Sequence, residues 1–218
     1  MSSHTLTTIL PMNADDFYRI TETEHFDQFQ ISYLGLQSHQ LKEEVDNETH
    51  IFRRVCIKPK TSIPKMLLKF ANGTDELSYE DTQLKSKTKR EVQFKTKAPV
   101  MAEHIHVQGV ITIEPLDNET CLRVLKVTFS FTGPLQWFSS MIENNILTEL
   151  KKTISLLPTI VADYKKQLAQ TQTQTNNNTP SSNNTSQTTP SNDRSSFRSS
   201  NGISHQSILN KEPVAQFV

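Results

Sequence analysis

Residues 133–168 read GPLQWFSSMIENNILTELKKTISLLPTIVADYKKQL, and this stretch decides the fold of the chain. Its apolar residues recur with the spacing of an amphipathic α-helix. Pro158 lies inside the pattern, and because the pattern continues beyond it, we expect the proline to kink the helix without ending it. No other helical pattern in the chain is long enough to cover the apolar stripe, so the stripe predicts packing against a β-sheet. The stripe comprises Leu135, Phe138, Met141, Ile142, Ile146, Leu150, Ile154, Leu157, Val161, Tyr164 and Leu168.

The residues before this helix contain short apolar runs with the alternation of β-strands. The tetrapeptide Asp-Asn-Glu-Thr occurs at residues 46–49 and again at 117–120, each time between two such runs. Asp and Asn tolerate tight turns and bond to their own backbone, so both copies predict hairpins. Residues 14–23, ADDFYRITET, predict a helix because acidic side chains occupy its first turn. The predicted strands are 4–10, 31–45, 51–57, 76–84, 90–97, 104–114 and 121–131.

This order of a strand, a helix, about six strands and a long helix resembles the START-like superfamily, which includes the birch-pollen-allergen fold and the VASt-type sterol-binding domains. The resemblance covers residues 4–168 and implies an α+β helix-grip fold, in which a curved antiparallel sheet surrounds a long C-terminal helix. It also implies binding, and intracellular transfer, of a hydrophobic ligand such as a lipid or sterol in a cavity between sheet and helix. The segments that carry it are TLTTILPMNADDFYRI, IFRRVCIKP, HIHVQGVITIEPL, CLRVLKVTFSF, SSMIENNI and LLPTIVADY.

Side chains on the inner face of such a sheet are the candidate ligand contacts. Arg53 shares its strand face with Val55 and Ile57, so it is predicted to be buried. A buried arginine needs a partner, for which Glu80 and Glu103 are candidates. It would either anchor the headgroup or hydroxyl of a ligand or form a structural ion pair. The predicted contacts are Arg53, Val55, Ile57, Tyr79, Phe94, Val107, Ile111, Phe129, Phe138 and Ile142.

Residues 58–70, KPKTSIPKMLLKF, combine lysines with apolar side chains. One interpretation is a gate that touches an anionic membrane, since each lysine near such a surface contributes about 1 kcal/mol. The other interpretation is a packed helix with solvated lysines. The predicted membrane contacts are Lys65, Met66, Leu67, Leu68 and Lys69.

Catalytic and metal-binding motifs are weak in this sequence. His104 and His106 alternate on a predicted strand, but the sequence shows no third ligand, so no metal or cofactor is predicted. The sequence also contains no nucleophile elbow and no phosphate-binding glycine loop. Enzyme activity is therefore disfavoured. Two alternatives to ligand binding stay open, namely a cyclase- or hydrolase-type enzyme acting on an apolar substrate and an adaptor that has lost its ligand.

Composition limits the partners and the location of the chain. Its 23 basic and 23 acidic residues cancel, so no nucleic-acid partner is predicted. No stretch approaches the roughly 18 apolar residues of a membrane span, and the N-terminus lacks the features of a secretory signal. We expect a cytoplasmic monomer, with peripheral membrane contact as an open alternative.

The composition changes sharply after residue 169. Of the 40 residues from 171 to 210, 29 are Asn, Gln, Ser or Thr, and they show no hydrophobic period. Such a segment buries too little apolar surface to offset its ordering entropy. The sequence therefore predicts a helix-grip domain over residues 1–169 and a disordered, low-complexity tail over residues 170–218.

Overall fold

A computed structural model describes residues 1–60, 78–99 and 101–177, with side chains up to residue 171. Its helices and strands follow the order of a helix-grip fold. In chain order they are β1 Ser2–Leu10, α1 Ala14–Ile20, α2 Glu24–Leu34, β2 Leu36–Asp46, β3 His50–Pro59, β4 Tyr79–Ser86, β5 Glu91–Lys97, β6 Ile105–Pro115, β7 Cys121–Phe131, a 3-10 helix Gly133–Phe138 and α3 Ser139–Asn177.

The seven strands form one antiparallel sheet in the order β1-β7-β6-β5-β4-β3-β2. Its register shifts twice where β2 pairs with β3, and such bulges bend a sheet. The helix α3 contacts β1 and α2, while α1 contacts β6 and β7. The predicted helix-grip architecture, a curved antiparallel sheet with a long C-terminal helix, is confirmed.

Both Asp-Asn-Glu-Thr segments form the hairpin turns that the sequence predicted. In the β6–β7 hairpin, one carboxylate oxygen of Asp117 accepts hydrogen bonds from the backbone N–H groups of Glu119 and Thr120, each at 2.7 Å. In the β2–β3 hairpin, the N–H of Asn47 donates to the carbonyl of His50 at 2.9 Å. The side chain of Asp117 thus closes its own turn, which is why this residue type recurs between strands.

The region between α1 and β2 differs from its prediction, because residues 24–34 form the helix α2, which includes residues 31–34 at the start of the predicted strand 31–45. Thr23 caps this helix by accepting a hydrogen bond from the N–H of Phe26. Gly35 ends it with φ of 62°, a conformation that glycine adopts without steric cost. The predicted strand therefore begins at Leu36.

The long helix forms as predicted, but its inward face is displaced at the start. The chain first makes the 3-10 helix and then runs as one α-helix through Pro158. Phe138 and Met141, which were placed in the apolar stripe, are 48% and 40% exposed, and the neighbouring Trp137 is 89% exposed. The buried side chains of α3 are Ile142, Leu147, Ile154, Leu157, Ile160, Val161 and Tyr164.

Apolar clusters of the described residues hold α3 against the rest of the fold, and two of them lie along its middle and C-terminal parts. The first joins α1 and α2 to the C-terminal part of α3, and the second joins β5, β6 and β7 to its middle. Within the residues described above, no helix combines the length and the hydropathy that crossing a bilayer requires. The first cluster includes Leu10, Met12, Phe17, Phe26, Ile160 and Val161, and the second Val92, Ile111, Leu125, Val127, Phe129, Leu147 and Ile154.

Candidate functional site

The inner face of the sheet is divided into an apolar part and a charged part. On β7 it carries Leu125, Val127 and Phe129, all at most 3% exposed. On β3 and β4 the same face carries Arg53 and its cross-strand neighbour Gln83, 1% and 6% exposed. Because side chains alternate along each strand, these polar groups point toward the same interior as the apolar ones. The charged part therefore needs internal partners.

Arg53 is the centre of a buried ionic network. Its Nη2 donates to Asp27 Oδ2 at 2.8 Å, its Nε to Glu44 Oε2 at 3.2 Å and its Nη1 to Gln83 Oε1 at 3.2 Å. A fourth contact joins Nη1 to Glu22 Oε2 at 3.8 Å. All three nitrogen atoms of the Arg53 guanidinium thus have a polar partner. These partners make the predicted burial of Arg53 compatible with its charge.

The predicted partners of Arg53, Glu80 and Glu103, are wrong. Glu80 stands opposite Cys56 in the register, three positions away from the row of Arg53 and Gln83, so it occupies the other face of the sheet. Glu103 precedes β6 and lies 3.8 Å from His104. The actual carboxylates come mainly from the α1–α2 region, which the sequence pattern had not placed against this strand.

Glu22 connects the helices to this network through an unusual backbone conformation. It lies between α1 and α2 with φ of 53°, which costs a non-glycine residue free energy. Burial raises the pKa of its carboxyl, and the nearby Asp27 carboxylate raises it further. The strained position thus holds inside the protein a carboxyl group that resists ionisation.

His39 lies beside the same carboxylate, with Nδ1 3.7 Å from Asp27 Oδ2. Burial lowers the pKa of His39, so its imidazole is neutral at pH 7. Burial also raises the pKa of Asp27, against the opposing effect of Arg53. The network therefore gains little positive charge from this histidine.

Two further titratable groups occupy the inner face of β4. Lys85 donates from Nζ to the carbonyl of Thr21 at 2.6 Å and lies 4.9 Å from the ring centre of Tyr18. Burial lowers the pKa of Lys85 to about 8. Burial raises the pKa of Asp81 to about 6, and its Oδ1 has no hydrogen-bond partner among the residues that the structure describes.

A cavity of about 90 Å³ adjoins this network, between α1, α2, β7 and α3. Glu22 belongs to both, because it lines the cavity and contacts Arg53. The polar residues of the wall are Thr21, Glu22, Gln30, Arg123 and Thr153, and the apolar residues are Phe17, Phe26, Leu125, Leu150, Ile154 and Leu157.

A second cavity, of about 240 Å³, lies near the start of α3. Beside it, His4 Nε2 and Glu143 Oε1 are 2.6 Å apart. Its wall includes the chain's first two residues and the 3-10 helix, and the full set is Met1, Ser2, Phe129, Phe131, Gln136, Ser139 and Glu143.

The structure brings together only part of the predicted ligand contacts. Phe94, Val107, Ile111 and Phe129 belong to the apolar cluster of β5–β7 and α3, and Phe129 also lines the larger cavity. Ile142 packs beside Ile105 and Leu135. Val55 is fully buried, and Ile57 pairs with Tyr79 across β3 and β4. None of the ten lines the smaller cavity.

Phe138 ends the 3-10 helix and is 48% exposed, so it lies outside the buried stripe, and its contact with a ligand stays a prediction. The predicted membrane contacts Lys65, Met66, Leu67, Leu68 and Lys69 lie outside the described residues. So does most of the predicted tail, residues 178–218.

The histidines considered as metal ligands have other surroundings. His104 Nδ1 lies 3.2 Å from the hydroxyl of Thr132, and His106 is exposed on β6. In the described part of the chain, no three His, Cys, Asp or Glu side chains cluster as metal ligands would.

Sequence reasoning missed the residues that give the cavity its polarity. Arg123 had a usable signal, because it alternates with Cys121 and Leu125 on a strand whose other inward positions are apolar. Glu22 and Asp27 had none, since neither helix nor turn periodicity shows which carboxylate will reach a distant arginine.

Comparison with protein families decides where the chain belongs. Residues 5–189 match the family described as "Protein of unknown function (DUF2505)". The chain belongs to this family. A search of curated proteins found no match.

Solved structures with the same fold are distant in sequence. TTHA0849 from Thermus thermophilus is 11% identical with a TM-score of 0.54, covering 75% of this chain and 99% of that one. The Zhui aromatase/cyclase from Streptomyces sp. R1128 is 10% identical with a TM-score of 0.53, covering 77% and 95%. A point mutant of norcoclaurine synthase from Thalictrum flavum, in complex with a transition-state analogue, is 10% identical with a TM-score of 0.50, covering 75% and 96%. These likenesses show the helix-grip fold.

Proposed function

We propose that this chain binds a hydrophobic small molecule in the cavity between α1, α2, β7 and α3. The observation that carries the proposal is the composition of the cavity wall. Leu125 from the sheet and Leu150, Ile154 and Leu157 from α3 give it apolar sides, while Glu22 adds a carboxyl group and Arg123 a guanidinium. Ligand sites combine a mostly apolar wall with a few polar groups that fix orientation.

The size of the cavity favours a ligand smaller than a sterol. Its volume is about 90 Å³, whereas pockets for drug-sized ligands are roughly 300–1,000 Å³. An apolar cavity of about 150 Å³ is known to bind benzene. A lipid or sterol, as the resemblance to START-like proteins implies, would require the helices to move apart. Transfer between membranes, a cytoplasmic location and membrane contact through residues 65–69 are further parts of the proposal that rest on sequence alone.

An enzyme acting on an apolar substrate is the second candidate function, favoured by one observation. Glu22 combines a strained backbone, a place in the cavity wall and a raised pKa, as general acids in active sites often do. Structural ion networks also shift pKa values, so binding is the simpler proposal.

Ligand binding is tested with 1-hexanol, a neutral probe with one short apolar chain. Titration into the full-length protein should shift the amide NMR signals of residues that line the cavity. Leu150→Trp should abolish these shifts, because its larger side chain fills the cavity. The control is Lys151→Trp, which places the same side chain on the exposed face of α3.

Two results separate the alternatives. If 1-hexanol shifts no cavity signal and no small molecule copurifies in native mass spectrometry, the binding proposal is wrong and the adaptor remains. If the shifts persist in Leu150→Trp, the ligand lies elsewhere.

A further inference from the structure

Arg123 places a guanidinium among apolar side chains on the inner face of β7. Cys121 and Leu125 share this face and are 0% and 3% exposed, and Ile113, its neighbour on β6, is 3% exposed. Burial lowers the pKa of Arg123. A guanidinium has five N–H donors, and these neighbouring side chains offer no acceptor oxygen. Thr8, opposite Arg123 on β1, carries a hydroxyl oxygen, but no hydrogen bond joins the two side chains in the described part of the chain. A charged partner for Arg123 must therefore come from the helices or from a ligand.

Arg123 differs from Arg53 in its contacts. Arg53 has the carboxylates of Asp27 and Glu44 within 3.2 Å. Around Arg123, by contrast, no carboxylate of residues 1–60, 78–99 or 101–177 lies within 4.0 Å, and no described residue accepts a hydrogen bond from its side chain. Arg123 is half-buried, and its guanidinium nitrogen atoms keep accessible surface, so an anion can reach them. The side chain is thus better suited to binding an anion than to stabilising the fold.

Glu22 is the carboxylate that acts on Arg123 from a distance, but it neutralises Arg123 only in part. Its Oε2 lies 3.8 Å from Arg53 Nη1, so its charge is shared with another guanidinium. Burial and the nearby Asp27 carboxylate also favour its protonated form. Positive charge therefore remains in the wall of the cavity at Arg123.

We infer that Arg123 binds the carboxylate of a small amphipathic acid whose apolar part lies against Leu125, Leu150 and Ile154. The inference rests on the proposed function, since it assigns the charge of the ligand in the same cavity. A guanidinium holds a carboxylate through two parallel hydrogen bonds, and these are strong where water is excluded. The volume of about 90 Å³ limits the acid to a short chain.

A protonated Glu22 would add to this recognition. Its O–H can donate to the second oxygen of the bound carboxylate, whereas an ionised Glu22 would repel it. A bound carboxylate would therefore raise the pKa of Glu22 further, in the same direction as burial does.

The test compares hexanoate with 1-hexanol, which has the same chain length and no charge, by calorimetric titration of the full-length protein at pH 7. Hexanoate should bind at least tenfold more tightly. Arg123→Gln should weaken hexanoate binding at least tenfold and leave 1-hexanol binding unchanged. Arg123→Lys keeps the charge but loses the two parallel N–H donors of the guanidinium. Its affinity for hexanoate should lie between the affinities of the parent and of Arg123→Gln. The control is Arg54→Gln, since Arg54 is exposed and paired with Glu43.

A second measurement distinguishes ligand binding from a structural role. Arg123→Gln removes a half-buried charge that has no direct ion pair with the described residues, so the midpoint of thermal unfolding without ligand should stay the same or rise. A fall of several degrees would show that Arg123 stabilises the fold through Glu22, and would overturn the inference.

The two proposals fail in different ways. If hexanoate and 1-hexanol bind equally well and Arg123→Gln affects neither, the charge assignment is overturned while the cavity remains a binding site. If neither probe binds, or if Leu150→Trp leaves the binding of both intact, the cavity itself is not the site and both proposals fail.

Discussion

Arg53 and Arg54 show how one position of a strand decides the role of a side chain. Arg53 is 1% exposed and contacts the carboxylates of Asp27 and Glu44, whereas the Arg54 side chain is 45% exposed and pairs with Glu43 at 2.8 Å. Successive side chains of a strand point to opposite faces, so two chemically identical residues have opposite surroundings. Arg53 should therefore contribute much more than Arg54 to the free energy of unfolding.

Replacing Arg53 by Met should lower the free energy of unfolding by roughly 3–5 kcal/mol, because Asp27 would stay buried without its counter-ion. Arg54→Met should change it by less than about 1 kcal/mol, as expected for an exposed pair. Urea unfolding followed by circular dichroism measures both. Adding Asp27→Leu to Arg53→Met should restore part of the loss, and equal effects of the two single changes would contradict the buried network.

Asp81 makes stability depend on pH. Its pKa is raised from 3.8 to about 6, so the folded protein holds this proton more tightly than the unfolded chain does. The free energy of unfolding therefore falls as pH rises from about 4 to about 6, by up to about 3 kcal/mol from this group. Glu22 and Asp27 act in the same direction, because their pKa values are also raised.

Asp81→Asn should remove that part of the dependence. At pH 7.5 the variant should be more stable than the parent, since it carries no charge at a buried position, and at pH 4 the two should be alike. Urea unfolding at the two pH values measures the difference. A variant that is less stable at pH 7.5 would show that the hydrogen bond between Asp81 and Thr96 outweighs the cost of burying the charge.

Helices and strands were predictable where the apolar residues had a regular spacing and a turn signal marked the end of the element. The strands β6 and β7, the hairpin at Asp117 and the long helix α3 all followed from alternation, turn chemistry or the helical period. The helix α2 was missed because its caps, Thr23 and Gly35, were overlooked and its apolar residues include no long stripe. The first turn of the predicted stripe failed at Phe138, since a 3-10 helix rotates side chains differently from an α-helix.

At the scale of the helix α3, stability should depend on its C-terminal part. Ile160 is 0% exposed and packs in the cluster formed with α1 and α2. Ile160→Ala should lower the free energy of unfolding by roughly 2–5 kcal/mol through lost contacts and the remaining cavity. Thr159→Ala, on the exposed side of the same turn, should have little effect. If Ile160→Ala and Thr159→Ala lowered the free energy of unfolding by similar amounts, the packed face of α3 would not be the one that contains Ile160.

For the molecule as a whole, the candidate site joins parts that lie far apart in the sequence. Glu22 follows α1, Arg123 lies on β7 and Leu150 on α3, yet all three line one cavity. A sequence can show that each position points inward, but the contact between them depends on how the helices cross the sheet. The inward face was therefore predictable for strands, and the actual cavity wall was not.

The composition of the tail predicts that a chain ending at Asn177, where α3 ends, is as stable as the full chain. The residues beyond it are mainly Asn, Gln, Ser and Thr and contribute little apolar surface. The two proteins should unfold at the same temperature in differential scanning calorimetry. A midpoint several degrees lower for the shorter chain would show that the tail packs on the domain.

Trp137, 89% exposed beside Phe138, is the single tryptophan of the chain. Its indole is in water in the folded protein and would stay in water after unfolding. Its fluorescence emission should therefore change little on denaturation. The same property makes it a natural reporter of docking, because any membrane or protein that covers this end of α3 must remove water from the ring. A blue shift of the emission would then signal contact at this one place, without a label and without interference from another tryptophan.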